Sequence, residues 1–440
     1  MLLTNRAQEI VGAAHLVVDS EHLAGYAVDG IRPHTVARPE SAEETASLLV
    51  AAGEAGAGVL PRGAGAHLHL GGRPSRADLV IETTRLAGIT DYTPADYVVA
   101  VRAGTRLRDL AGELIRHNQW LPIDPPGAEV ATIGGVIAAN RNGPRRLLWG
   151  SIRDMLIGIR VALPTGEVIK AGGKVVKNVA GYDLSKLFIG SFGAFGVITE
   201  ATFKISPHPG EGVTVFVTVP TLDATYALTT AVMRSYLLPS ALEAVNPPAF
   251  RRVSLAAGLH EPPAGAWGLL LLAEGMAESR TRHTNEMRTL VGTAGRMEVL
   301  QGAPHDALWK AVAEFPSPSS HPGGVVCRTG GPLARWAEVI RSLEASRGID
   351  GPPEVLAHAG IGLLYCAGGA ESGAALADAV GRAAAEIGGY AVVEAAPPDL
   401  KARLPLWGAP PGGLDLMRRL REKFDPRGIM VPGRLGWGLS

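Results

Sequence analysis

Three glycine-rich segments carry residues whose types and spacing suit phosphate chemistry. Pro61-Arg62-Gly63-Ala64-Gly65-Ala66-His67 follows the apolar run Gly58-Val59-Leu60, and Gly71-Gly72 lies just behind it. A strand ending in such a turn exposes successive backbone N–H groups and lets the chain approach a pyrophosphate with no side chain in the way. The turn lacks the G-x-G-x-x-G of a Rossmann unit and the G-K-[ST] of a Walker A loop. Taken alone, it also fits an ordinary surface turn. In the second segment, Pro125-Pro126-Gly127 precedes Ala131-Thr132-Ile133-Gly134-Gly135-Val136-Ile137-Ala138-Ala139-Asn140. Its paired glycines can present amides to phosphate, Thr132 adds a hydroxyl donor, and Ala138 and Ala139 permit close packing. The third, Gly190-Ser191-Phe192-Gly193-Ala194-Phe195-Gly196-Val197-Ile198-Thr199, sets three glycines before a strand whose backbone can pair with a ring edge.

These segments need strands and helices to hold them. Ser41 and Glu44 form a capping box ahead of a helix that Gly53 or Gly56 closes. Residues 77–83 and 97–104 are predicted strands. Thr105 is expected to cap a helix whose Leu107, Leu110, Leu114 and Ile115 make one buried stripe. Residues 157–171 form a hairpin turning at Pro164-Thr165-Gly166. In 197–205, Val197, Thr199, Ala201, Phe203 and Ile205 share one face against Glu200 and Lys204, which predicts a half-buried strand. Pro207-His208-Pro209-Gly210 breaks the pattern and marks a boundary. Beyond it, strands such as VTVFVTV, WGLLLLAEG and YAVVEA alternate with alanine-rich helices in a separate α+β domain. The segment GLDLMRRLREKF is a final helix stopping at Asp425-Pro426. No internal repeat is visible.

Composition narrows the class of function. A chain of 440 residues is long enough for two or three domains. With 56 glycines, 32 prolines and 46% hydrophobic residues, and no G-X-Y period, it is neither collagen-like nor a disordered linker. Basic and acidic residues balance at 42 each, which argues against a nucleic-acid footprint. Two cysteines, Cys327 and Cys366, cannot build a four-thiolate iron–sulfur centre and fit a reducing compartment. No apolar run reaches the roughly 18 residues of a membrane span and no signal-peptide core opens the chain. The expectation is a cytoplasmic protein without direct membrane insertion, any membrane association coming through partner subunits.

In this order and spacing the glycine segments resemble the FAD-binding domain of the vanillyl-alcohol oxidase and p-cresol methylhydroxylase (PCMH-type) superfamily. Leu148-Trp149-Gly150-Ser151-Ile152-Arg153-Asp154, the run from Lys174 to Leu187 and the closing Phe424-Asp425-Pro426-Arg427-Gly428-Ile429-Met430-Val431-Pro432-Gly433-Arg434 are similar to its glycolate-oxidase branch. The resemblance implies an α+β fold. A short segment (1–33) would precede a PCMH-type FAD domain of two α+β subdomains (34–209), followed by a ferredoxin-like cap (210–405) and a C-terminal segment (406–440) whose helix returns to the flavin domain. It implies that Arg62, Gly63, Ala64, Gly65, Ala66 and His67 hold the pyrophosphate together with Thr132, Gly134 and Gly135, while Gly196, Val197, Ile198 and Thr199 meet the adenine half. Pro126, Gly127, Ile133 and Ala138 belong to the same cofactor set. Arg153, Asp154, Asn178 and Tyr182 would either contact FAD or organise the loops around its ring, and Arg434 would either reach the cofactor or lock the returning tail, where Val431 replaces the asparagine usual in the family. Relatives with covalent flavin have R-x-G-G-H, whereas four residues separate Arg62 from His67, so FAD is expected to be non-covalent.

Relatives that oxidise D-2-hydroxy acids carry a metal-binding H-x-G-D-G-N-x-H in the cap. The matching stretch here is His358-Ala359-Gly360-Ile361-Gly362-Leu363-Leu364-Tyr365. Isoleucine and leucine cannot ligate a metal, so no metal is expected. That erosion is similar to the smaller FAD-binding subunit of bacterial glycolate oxidase, which implies as partners a larger flavoprotein subunit, an iron–sulfur subunit and a small 2-hydroxy-acid substrate. Oxidation of an alcohol carbon needs a hydride acceptor, a base for the hydroxyl proton and a cation for the carboxylate. His358, Tyr365, Tyr182 and His69 are the base candidates, Arg328 and Arg146 the cation candidates. A self-sufficient FAD dehydrogenase or oxidase and a non-catalytic electron-relay subunit remain open as alternatives.

Overall fold

The computed structural model of the chain describes residues 2–173 and 183–439. Its first layer is a four-stranded sheet in the order Leu16–Val17, Thr35–Ala37, Leu79–Glu82, Val59–Arg62. Strands 35–37 and 59–62 run parallel to 79–82. Parallel neighbours need a crossover, and the amphipathic helix Ala42–Glu54 supplies one, burying Leu48, Leu49 and Ala52 against the sheet. Ser41 Oγ accepts from Glu44 N at 3.0 Å, while the Glu44 carboxylate reaches Glu40 N rather than Ser41 N. The box is therefore shifted by one residue.

A five-stranded antiparallel sheet lies beside it, ordered Ile89–Thr93, Val98–Arg102, Val197–Lys204, Leu156–Ala162, Val168–Gly172. Strand 197–204 was expected to be half-buried, but it occupies the centre of this sheet, and only Glu200 and Lys204 are partly exposed. A bulge between Ile198 and Glu200 on its pairing with 156–162 breaks the simple alternation. Thr105 does not cap the next helix. The cap is Arg106, and Thr105 Oγ1 instead accepts from Gly88 N at 2.9 Å. Helices Leu107–Leu114 and Ile133–Ala139 cover the sheet through Leu110, Leu114, Val136 and Ile137.

The remaining large sheet has eight antiparallel strands, ordered Arg296–Leu300, Gly212–Val219, Trp267–Glu274, Ala241–Val245, Glu354–His358, Leu363–Gly368, Val325–Gly330, Tyr390–Ala395. Its order resolves into two βαββαβ units of ferredoxin-like topology, joined edge to edge where 241–245 pairs with 354–358. This duplication left no trace in the sequence because only the backbone path repeats. The second unit turns its inner strands with a hairpin, whereas the first inserts helix Pro247–Ala256 there. Four helices cover one face (Leu222–Arg234, Ala277–Val291, Trp336–Glu344, Gly373–Glu386). Helices 247–256 and Ala303–Glu314 cover part of the other. The chain then returns through helix Leu414–Phe424, and residues 429–431 run along strand 59–62, with Val59 N to Ile429 O at 2.8 Å and Val431 N to Val59 O at 2.9 Å.

Candidate active site

Strand 59–62 delivers the chain into the turn at 63–70, which forms one wall of a cleft enclosing roughly 820 Å³ of solvent-open space. Arg62, Gly63, Ala64, Gly65, Ala66, His67, Thr132, Gly134, Gly135, Ala138, Gly196, Val197, Ile198 and Arg434 all line it, from segments far apart in sequence. The glycines are needed for different reasons. A Cβ on Gly63 would overlap Thr132 Oγ1, and Gly65 sits at φ +89° above the Arg62 guanidinium. Gly134 faces away, since its Cβ would press Ala103 Cβ at 2.9 Å. The Ile133 and Gly134 amides are already donated to Thr105 O (2.9 Å) and Ala103 O (2.7 Å), so the expectation that paired glycines offer both amides to phosphate is corrected. Thr132 Oγ1 is buried without a partner. An orphaned hydroxyl donor, between glycines that leave no side chain in the space, fits a phosphate-bearing cofactor.

The turn is pinned from behind. Arg434 donates to the carbonyls of Leu68 (2.9 Å), Leu70 and Gly72 (3.2 Å), and Lys401 Nζ donates to His69 O (2.6 Å) and Asp29 Oδ2 (2.7 Å). Burial lowers the Arg434 pKa to about 10 despite Asp29 nearby. The other expected residues lie elsewhere. Pro126 and Gly127 stand behind the turn, where His67 Nε2–H donates to Pro126 O at 2.9 Å and Gly127 N donates to Glu314 Oε1 at 2.7 Å. Ile133 is core, and Thr199 Oγ1 bonds Arg160 O at 3.2 Å. Arg153 and Asp154 do not line the cleft, and Asp154 caps a short helix by accepting from Ser151 N and Oγ at 2.8 Å. Asn178 and Tyr182 lie outside the described residues.

The less-covered face of the eight-stranded sheet turns polar groups toward this region: Glu243, Glu274, Arg328, His358, Tyr365 and Glu394. Asp124, Arg141 and Arg145 meet them from the opposite side. Arg141 Nη1 donates to Glu394 Oε2 at 2.7 Å, Arg328 Nε lies 2.7 Å from Glu394 Oε1, and Arg145 bridges Glu274 (2.8 Å) and Asp124 (3.4 Å). His358 is not free, since its Nδ1–H donates to buried Glu243 at 2.7 Å with Tyr365 edge-on at 5.6 Å. Burial drives His67 down to about 4 and His69 to about 3, the Arg141 charge adding to both. Both imidazoles are therefore neutral near pH 7, and His69 Nε2 is buried without a partner. Burial lifts Asp124 to about 6 against the pull of Arg145. Burial also raises Tyr365, keeping it protonated. Sequence reasoning missed Asp124, Arg141, Arg145, Glu274 and Glu394. Only Arg141 and Arg145 gave any signal, in the basic, glycine- and proline-broken Asn140-Arg141-Asn142-Gly143-Pro144-Arg145-Arg146 run after a helix. Among the described residues no group of three or more His, Cys, Asp or Glu is placed to hold a metal ion. No described helix is long and apolar enough to cross a membrane.

The fold is PCMH-type, and matches to known families and relatives make the chain an FAD-linked oxidoreductase. Residues 33–172 match the family described as FAD binding domain, and residues 406–435 match the C-terminal domain of FAD linked oxidases. The chain is 28% identical to glycolate oxidase subunit GlcD of Bacillus subtilis over 92% of this chain and 89% of that one. It is 45% identical to glycolate oxidase subunit GlcE of Escherichia coli over 28% of this chain and 35% of that one. Crystalline p-cresol methylhydroxylase with substrate bound superposes with a TM-score of 0.72, covering 98% and 96% of the two chains at 16% identity, a likeness of fold alone.

Proposed function

We propose that the chain oxidises a small 2-hydroxy acid through non-covalently bound FAD, as the smaller FAD-binding subunit of a glycolate-oxidase-type complex. Its partners would be a larger flavoprotein subunit and an iron–sulfur subunit, in the cytoplasm. The observation that carries this reading is the union of a glycine-walled cleft with a polar sheet face, beside which the buried imidazoles of the turn, His67 and His69, are held neutral. In this assignment the 62–67 turn, Thr132 and Gly135 hold the pyrophosphate, residues 196–198 meet the adenine half, and Arg434 braces the turn. Bound FAD supplies the two-electron acceptor that takes hydride from the alcohol carbon. Among the described base candidates we assign the hydroxyl proton to His69, whose ring is neutral and whose Nε2 has no partner. His358 and Tyr365 act one layer back, with His358 held by Glu243 and Tyr365 packed against it.

The test is purification from the native host, followed by absorbance spectra with and without glycolate or D-lactate. A yellow preparation that bleaches with substrate and carries a second flavoprotein and a cysteine-rich protein is expected. An FAD-loaded complex that neither acid bleaches would sink the proposal. A likeness of 29% identity to a protein named D-lactate dehydrogenase of Anaerostipes hadrus, over 93% of this chain and 90% of that one, favours a second reading, a self-sufficient dehydrogenase. Bleaching of the isolated chain by substrate selects that alternative.

A further inference from the structure

Arg141 is buried with an incomplete set of partners. A guanidinium carries five N–H donors. Here Nη1 is spent on Glu394 Oε2, while Nε and Nη2 are buried and bond to nothing. Those two atoms share one edge of the guanidinium plane and form the parallel fork that matches the two oxygens of a carboxylate. Leaving such donors dry and unpaired is costly, so a fork of this kind implies an acceptor that arrives from outside the chain.

The charge balance is independent of that geometry and agrees with it. Arg141 and Arg328 both lean on Glu394, so two guanidinium groups share one carboxylate. The neighbouring His67, His69 and Tyr365 are neutral, and one positive charge stays uncompensated where water is largely excluded. Arg328 is the more open member, its side chain 28% exposed, whereas Arg141 is 3% exposed. His69, with its own unpartnered Nε2, lies within electrostatic reach of Arg141.

We infer that the Nε/Nη2 edge of Arg141 is the reader of the substrate's carboxylate, that Glu394 tunes it by holding the third nitrogen, and that the site prefers a monocarboxylate with a hydroxyl on the adjacent carbon. This rests on the 2-hydroxy-acid reading above and adds the residue that recognises the acid. A carboxylate seated there completes the fork and cancels the residual charge.

The probe is 2-hydroxy-2-methylpropanoate, which keeps the hydroxyl and the carboxylate but has no hydrogen on the hydroxyl-bearing carbon to give up. Its neutral counterpart is 2-methylpropane-1,2-diol. Both are titrated by calorimetry into the FAD-loaded full chain, with melting temperature and flavin content as controls of folding. The anion should bind at least tenfold more tightly than the diol. Arg141→Lys, which keeps the charge and loses the fork, should raise the Kd for the anion at least tenfold and leave the diol unaffected. Glu394→Gln should lower the anion's Kd several-fold, because it removes the competing negative charge; a purely structural ion pair predicts weakening instead. Equal binding of anion and diol, an unchanged Kd in Arg141→Lys, or weaker binding in Glu394→Gln overturns the inference. The two claims fail separately. Arg141-dependent anion binding without bleaching by glycolate or D-lactate leaves the anion site and removes the oxidation. Bleaching with an indifferent Arg141→Lys does the reverse.

Discussion

Gly63 and Gly134 are both cleft glycines, and a side chain fails at each for a different reason. At Gly63 an added methyl overlaps the buried hydroxyl of Thr132, so Gly63→Ala strikes the phosphate cradle itself. The flavin-to-protein ratio of that variant should fall by tenfold or more, and a stoichiometrically yellow Gly63→Ala protein would refute the cradle. At Gly134 the obstruction is Ala103, across the packing of helix 133–139 on the sheet. Gly134→Val should therefore cost the FAD-free protein about 1–3 kcal/mol of stability, the range for overpacked sites, read by denaturant unfolding. The histidines give a pH signature at the same scale. The unfolded chain protonates its imidazoles near 6.5, the native one only near 4 at His67 and near 3 at His69. The native state thus binds fewer protons in that window, and these two sites lose stability as pH falls from about 6.5 toward 4. Asp124, raised from 3.8 to about 6, opposes them between those values, because it gains its proton earlier in the folded state. His69→Gln should flatten the fall of melting temperature between pH 6.5 and 4, and Asp124→Asn should steepen it.

At the scale of elements, the returning C-terminal segment is what stiffens the glycine turn. Residues 429–431 pair with Val59, and Arg434 then ties together the carbonyls of Leu68, Leu70 and Gly72. Arg434→Leu strands three acceptors in a dry site and should cost about 3–5 kcal/mol, as loss of one partner from a buried charged network does. Its effect on flavin retention should exceed that of a surface control such as Arg418→Leu; equal retention in the two variants would remove the bracing role. The bracing was legible only as a closing signature, since nothing in Pro432-Gly433-Arg434 says which carbonyls an arginine will find. The helix Ala42–Glu54 was legible but for the partner of the Glu44 carboxylate, because a serine cap and a glycine stop are both local. Strand 197–204 is more buried than its alternation predicts for the opposite reason, since its central place in the sheet and the packing of helix 133–139 on it come from distant segments that no local pattern announces.

Across the whole molecule, the flavin half and the eight-stranded half are joined by charged groups that the sequence scatters over hundreds of residues. Arg141 meets Glu394, Arg145 meets Glu274, Gly127 N meets Glu314, and Lys401 meets Asp29. Glycine turns announce a cradle because backbone conformation constrains residue type locally. A buried ion pair constrains nothing local, which is why the glycine cleft was readable and its polar roof was not. The same joints couple the two halves, since Lys401 holds the His69 carbonyl and Glu314 holds the amide of Gly127 beside the turn. A ligand that binds only the native state stabilises it by RT ln(1 + [L]/Kd), about 2.7 kcal/mol at a hundredfold excess over Kd. If the joints transmit that gain, FAD added to the cofactor-free chain should raise amide-exchange protection in strands 325–330 and 390–395, which line no part of the cleft, as well as in the 63–70 turn. Glu314→Gln combined with Lys401→Met should confine the added protection to the flavin half. Protection confined there already in the unaltered chain would mean that the roof closes independently of the cofactor.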